Sequence, residues 1–133
     1  GVLQYKFKYQ VEYMKTFNIG KDFSTDPIGR YRTDGDRSGE TFREDYIKLI
    51  IQSLSQDEKL EIIIDDNVES YGSSFLSEGF AGLVKHGYIT SEELLSKIII
   101  KYTDQDFEFY KKKIIEYIKN AKFNSKVYEP TKL

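Results

Sequence analysis

The residues best able to do chemistry are two serines, Ser73 and Ser74, a lone His86, the pair Asp65 and Asp66, and a run of arginines and acids between Gly29 and Arg43. His86 is the only histidine and cysteine is absent, so a histidine or thiolate metal cluster lacks ligands. A Ser-His-acid triad would rest on His86 alone, and neither its acid nor its oxyanion donors can be identified, which makes a hydrolase built on Ser74 and His86 the third reading. Beside Gly87, where an apolar helical pattern ends, His86 serves more simply as a partner of the helix C-terminal dipole. Asp65 and Asp66 follow an apolar run at 60–64, the place where open α/β sheets put ligands and magnesium-binding carboxylates. Aspartates also end strands simply because the chain turns into solvent. Without a GxxxxGK[ST] phosphate loop nearby, the turn reading is favoured, and no metal or cofactor is expected.

Residues 24–40 hold almost nothing aliphatic to bury, and read as a long polar loop. Arg30, Tyr31, Arg32, Asp34, Arg37, Glu40 and, just beyond it, Arg43 are its ligand or partner candidates. Arginine forks pair with carboxylate or phosphate, and glycines let a backbone come close to a ligand, so a small anion or nucleotide could bind here. An internal Arg-Asp network pinning the loop explains the same residues equally well. The Asp-x-Asp pattern at 34–36 does not make an EF-hand, because the later ligand positions are not met.

The segment Tyr71, Gly72, Ser73, Ser74, Phe75 leads from a buried strand into a helix. A phosphate on either serine would meet the positive end of the helix dipole and add about −1.5 to −2 charge to the surface. The simpler alternative is that one serine only caps the helix.

These residues need elements to position them. Leu3, Tyr5, Phe7, Tyr9, Val11 and Tyr13 alternate with polar residues, predicting a strand over 2–13 that could pair with a second over 16–23 in a hairpin, or across a homodimer. Phe42, Tyr46, Leu49 and Ile50 predict a helix capped by Ser38 or Thr41. Residues 60–64 suit a central strand covered on both faces. Phe75, Leu76, Phe80, Leu83 and Val84 mark a buried helix whose Gly79, Ala81 and Gly82 point to close packing, with Gly87 as its C-cap. A short helix at 90–95, a strand at 97–102 and an amphipathic helix at 104–121 capped by Asp104 follow. The tail at 123–133 is polar and expected to be extended or poorly ordered. The layout is thus an N-terminal strand extension at 1–15, a domain at 16–122 and the tail.

Composition limits what this layout can do. The 133 residues suit one domain. Eleven Tyr and nine Phe offset a lean apolar fraction of 39%. Twenty basic against twenty-two acidic residues, spread along the chain, leave no footprint for nucleic acid. No run approaches a membrane span and the N-terminus lacks the order of a secretory leader, so a cytoplasmic protein is expected, monomeric or homodimeric.

Several separated motifs then carry a resemblance: Lys21-Asp22-Phe23-Ser24, Gly29-Arg30-Tyr31, Asp34-Gly35, Ser38-Gly39-Glu40 with Phe42-Arg43, and Tyr71 to Leu76 with Phe80-Ala81-Gly82-Leu83. Over about residues 17–100 the chain resembles the STAS-like family of bacterial domains, relatives of the sulfate transporter and anti-sigma factor antagonist fold. The resemblance implies an α/β domain with a central sheet of about four to five strands and three to four helices packed on it. It also implies a non-enzymatic regulatory module whose strand-to-helix turn meets a protein partner of the histidine-kinase-like ATPase or anti-sigma factor class. By position, Ser73 matches the phosphorylatable serine of the antagonists and Ser74 the hydroxyl residue after it. Gly72 stands where the antagonists carry Asp, and Phe75 where they carry Gly.

Overall fold

Three short runs, the second and third rich in isoleucine, form the sheet in the computed structural model, which describes residues 13–132. They are β1 (Met14–Asn18), β2 (Lys59–Ile63) and β3 (Ile98–Lys101). All pair in parallel in the order β1-β2-β3, with Phe17 beside Ile62 and Ile62 beside Ile100. Parallel neighbours need crossovers, and helices supply them. The connection from β1 to β2 carries α1, residues 39–53; that from β2 to β3 carries α2, residues 73–85, and α3 (Ser91–Lys97). After β3, a turn capped by the Asp104 carboxylate through the Asp106 N–H (2.9 Å) leads into α4 (Glu108–Asn120).

The expected four to five strands are therefore three among the described residues. The alternating segment at 2–12, and the hairpin it would form, lie outside them. The strand expected over 16–23 ends at Asn18. There the Asn18 side chain accepts from Lys21 N–H (3.0 Å) and the Asp22 carboxylate accepts from Asn18 N–H (2.8 Å), so local bonds close the helical turn Ile19–Phe23 in place of a ladder. Ile19 and Phe23, four residues apart, then drop into the core together. The 60–64 run is fully covered on one face and partly on the other: Leu60, Ile62 and Ile64 are buried, whereas Glu61 and Ile63 are half-buried.

Both long helices contain one wide π-type turn, Arg43–Ile47 in α1 and Ser77–Ala81 in α2, flanked by ordinary α-helix. The helices cross at these turns, with α4 packed along α2 and against α3. Phe42 sits at the crossing, its ring 5.3 Å from both Phe75 and Phe80. Ser38 caps α1 by accepting from Thr41 N–H (3.2 Å). At the far end of α2, Gly87 takes φ +79°, and the N–H groups of Gly87 and Tyr88 close on the carbonyls of Val84 and Leu83, a Schellman ending. Among the described residues no helix is long and apolar enough to cross a membrane.

The crossing leaves no room for a side chain at Gly39. A Cβ there would lie 2.7 Å from the Phe75 carbonyl oxygen and 3.0 Å from the Gly79 nitrogen, backbone atoms that cannot swing away. Gly39→Ala is expected to cost about 1–3 kcal/mol by overpacking, against less than about 0.5 kcal/mol for Gln52→Ala on the exposed side of α1. Thermal denaturation of both variants checks this; equal melting temperatures would mean that the crossing is loose.

Candidate functional site

The turn between β2 and α2 is anchored from below. The Tyr71 hydroxyl donates to the Ile64 carbonyl (2.6 Å), and burial raises its pKa well above the ordinary tyrosine value. Its ring packs 5.8 Å from Phe75. Tyr71 and Phe75 are 7% and 0% exposed, so these two of the five turn candidates belong to the core and a partner would meet only Gly72, Ser73 and Ser74. A glycine at position 75, as in the antagonists, would leave a hole among Phe23, Phe42 and Tyr71.

Neither serine caps the helix. Gly72 is the N-cap residue with extended backbone, and no side chain accepts from the first-turn N–H groups. Ser73 is exposed. Ser74 faces the polar loop, where its hydroxyl accepts from the Arg30 guanidinium (3.2 Å). Two segments more than forty residues apart in sequence thus meet at one hydroxyl.

The loop is held by its own backbone and carboxylates. Gly39 and Glu40, whose N–H groups at the start of α1 have no acceptor within the helix, donate to the carbonyls of Gly29 (2.9 Å) and Arg30 (3.0 Å). The Asp34 carboxylate accepts from the N–H groups of Arg30 (3.0 Å) and Tyr31 (2.8 Å). Arg32 makes a two-pronged pair with Asp45 (2.8 and 3.0 Å). That pair holds the Asp45 carboxyl below its usual range and raises Arg32 further. Arg37 lies over the Phe23 ring at 5.2 Å and reaches the Tyr46 hydroxyl (3.2 Å). Arg32 and Arg37 border an open groove of about 780 Å³ with Thr41 and Tyr46. Tyr31 is exposed, whereas Glu40 and Arg43 are each 1% exposed and act inside the fold.

Arg43 donates to the Glu78 carbonyl (2.7 Å), to the Glu78 carboxylate (3.2 Å) and to Glu44 (2.7 Å). The polar tail, expected to be extended or poorly ordered, is extended and docked beside this cluster. The Tyr128 ring stacks 5.2 Å from the Arg43 guanidinium, and its hydroxyl donates to Glu40 (2.6 Å). Thr131 donates to the same carboxylate from its hydroxyl (2.7 Å) and its N–H (3.1 Å). Nothing in the tail's composition signals this, because its partner is one buried carboxylate ninety residues away.

His86 and the aspartates have structural work. The His86 Nδ1 meets the Lys126 carbonyl (2.7 Å), and burial lowers the pKa of the ring. His86 and Ser74 lie at opposite ends of α2, about 18 Å apart at 1.5 Å per residue, too far for a nucleophile and its base. The Asp65 carboxylate accepts from the N–H groups of Thr103 (2.6 Å) and Asp104 (2.8 Å), and that of Asp66 from Asn18 (2.7 Å), tying the strand ends together. Burial raises the Asp65 pKa, but those N–H donors outweigh it and hold the carboxyl low. Among the described residues no group of three or more acids and histidines could hold a metal ion.

Burial pushes the Glu40 carboxyl up, yet the donors Tyr128, Arg32 N–H and Thr131 prevail and hold it at about 2, against an ordinary 4.5. A carboxyl with a depressed folded pKa contributes stability above its unfolded pKa and loses it as pH falls through the folded value. The stability advantage of wild type over Glu40→Gln is therefore expected to be largest near neutral pH and to shrink from pH about 4.5 down to about 2. Urea denaturation along that range measures it; a gap that does not change with pH would show that the tail contact is not charge-assisted.

The comparisons with known proteins fit this arrangement. A family described as a STAS-like domain of unknown function (DUF4325) matches residues 38–108, from the cap of α1 through the Ser73-Ser74 turn to the first residue of α4. No curated protein and no solved structure matches the chain at a significant level. The match covers more than half of the sequence and takes in both crossing helices, two of the three strands and the turn between them: the chain belongs to the STAS-like domain family.

Proposed function

We propose that this STAS-like domain is a non-enzymatic regulatory module that captures a protein partner at the exposed Gly72, Ser73 and Ser74 turn, with serine phosphorylation there as the switch. The observation that supports it most directly is the hydrogen bond from Arg30 to Ser74. Unsatisfied N–H groups at the start of α2 and a guanidinium already resting on the hydroxyl would stabilise a phosphate, since charge-assisted bonds from arginine are about twice as strong as neutral ones. A phosphate would pull Arg30 away from the neutral hydroxyl geometry and tighten the loop onto the turn, changing the surface a partner meets. The partner class suggested by the anti-sigma factor antagonists is a histidine-kinase-like ATPase or anti-sigma factor. Gly72, in place of the antagonists' Asp, leaves the turn without their acidic neighbour, and a phosphate on Ser73 or Ser74 would bring the negative charge that position 72 lacks.

The second reading, a small anionic ligand held by the arginine loop, draws support from Arg37, which has no carboxylate partner among the described residues and borders the open groove. Arg32 contributes little to it, being spent on Asp45 and Glu40.

Affinity capture with the wild-type domain beside a Ser73→Asp, Ser74→Asp variant tests the proposal. The expected result is a partner enriched by wild type and reduced about tenfold or more by the variant, the two added charges mimicking a phosphate of about −2. Mass spectrometry of the peptide spanning the turn should find the phosphate. Equal capture by both forms with no phosphate on either serine would refute the switch.

A further inference from the structure

A second groove, unrelated to any motif in the sequence, lies where α2, the end of α4 and the start of the tail meet. It encloses about 380 Å³, and Arg30, Lys85 and Lys122 line it together with Ser77, Ser125 and Tyr117. The three cations come from the loop, the last residue of α2 and the chain just after α4, and among the described residues none of them makes an ion pair. The hydroxyls of Ser77 and Ser125 have no hydrogen-bond partner among the described residues either. Glu78 is the one carboxylate on the wall, and it is committed to Arg43 at 3.2 Å.

Arg32 and Arg43 are neutralised by neighbouring carboxylates, whereas the cations of this groove have only one carboxylate on their wall, and that one is taken by Arg43. Three unneutralised cations converging on one concavity repel each other, and an anion placed between them removes that repulsion and gains charge-assisted bonds. Two free hydroxyls add donors suited to a tetrahedral oxyanion. Tyr117, Ala81 and Ala121 add apolar surface to the lining, and the space is within the range that small organic ligands occupy.

We propose that this groove binds a phosphorylated small molecule with a planar body, of the nucleoside diphosphate class: the phosphates at Arg30, Lys85 and Lys122, the ring along Tyr117. The site does not depend on a serine switch, although the two share Arg30, so a ligand that draws Arg30 into the groove takes it off Ser74. Binding there and the state of the turn are thereby linked, and by reciprocity each changes the other.

The test is an NMR titration of the full chain with ADP, and separately with inorganic phosphate, at constant ionic strength, on wild type and on Lys85→Gln, Lys122→Gln. Neither lysine side chain bonds to the fold, so the variant's melting temperature and unliganded spectrum should match wild type. The expected result is saturable amide shifts centred on Ala81, Lys85, Lys122 and Ser125, tighter for ADP than for phosphate and weakened about tenfold in the variant. Four results would each overturn the proposal: no saturation by about 10 mM ligand, equal binding by the variant, ADP no tighter than phosphate, or shifts centred on Arg37 and Tyr46 in the other groove. The serine variants used for partner capture keep all three cations, so failure here and failure there are separate results.

Discussion

Arg43 is the residue on which the arrangement turns. Its guanidinium is 1% exposed at the crossing of α1 and α2, and a buried charge without partners costs several kcal/mol. It is held by Glu44 on its own helix and by the carbonyl and carboxylate of Glu78 on the other. Glu44 in turn accepts from the Tyr88 hydroxyl (2.9 and 2.8 Å) and pairs with Lys48 (3.4 Å). Gly82 makes room, since a Cβ there would run into the Arg43 guanidinium. Replacing such a network with apolar side chains of equal volume could be neutral or better for stability. What the network adds is definition, because only one crossing satisfies every donor and acceptor in it.

The wide turns make this crossing possible. Each adds a residue to its helical turn, and the two meet where Arg43 reaches Glu78. Such turns break the strict repeat of a helix and often mark places where side-chain geometry has overridden regular backbone. Gly39 lies against the backbone of Phe75 and Gly79, so the start of α1 and the first turn of α2 are fixed side by side. The loop follows, because its Gly29 and Arg30 carbonyls receive the first N–H groups of α1. The meeting of Arg30 and Ser74 is thus a consequence of a helix crossing set by a buried cation on the same two helices.

Elements with a strong period were legible in the sequence, and those decided by one distant bond were not. The Leu60 and Ile98 runs, the Ser38 cap, the Gly87 ending and the close packing signalled by Gly79 and Gly82 follow from patterns spanning a few residues. The turn after Asn18 was hidden because Ile19 and Phe23 fit a strand as well as a helical turn until the bonds of Asn18 and Asp22 are known. The wide turns carry no period of their own. Docking of the tail could not be read from residues 123–133, because the demand for it sits in Glu40, a buried carboxylate that looked like a loop ligand. In the same way Ser73 and Ser74 read as caps, yet the cap position fell to Gly72 and left both hydroxyls outside the helix's own bonding.

The arginines give the sharper lesson. Along the sequence Arg30, Arg32, Arg37 and Arg43 fall in one run of arginines and acids that reads equally as a ligand site or as an internal network. In the fold each has a different environment: a serine hydroxyl, an aspartate fork, an aromatic face, and a buried carboxylate pair. A charge already matched by a neighbour has little left for a partner, because any new contact must first repay the bonds it breaks. Recognition is therefore left to cations that folding does not consume. Among the described residues Arg30, Arg37, Lys85 and Lys122 border grooves without an ion pair, and Ser125 of the docked tail lines one of those grooves, so the tail shapes that surface together with the loop.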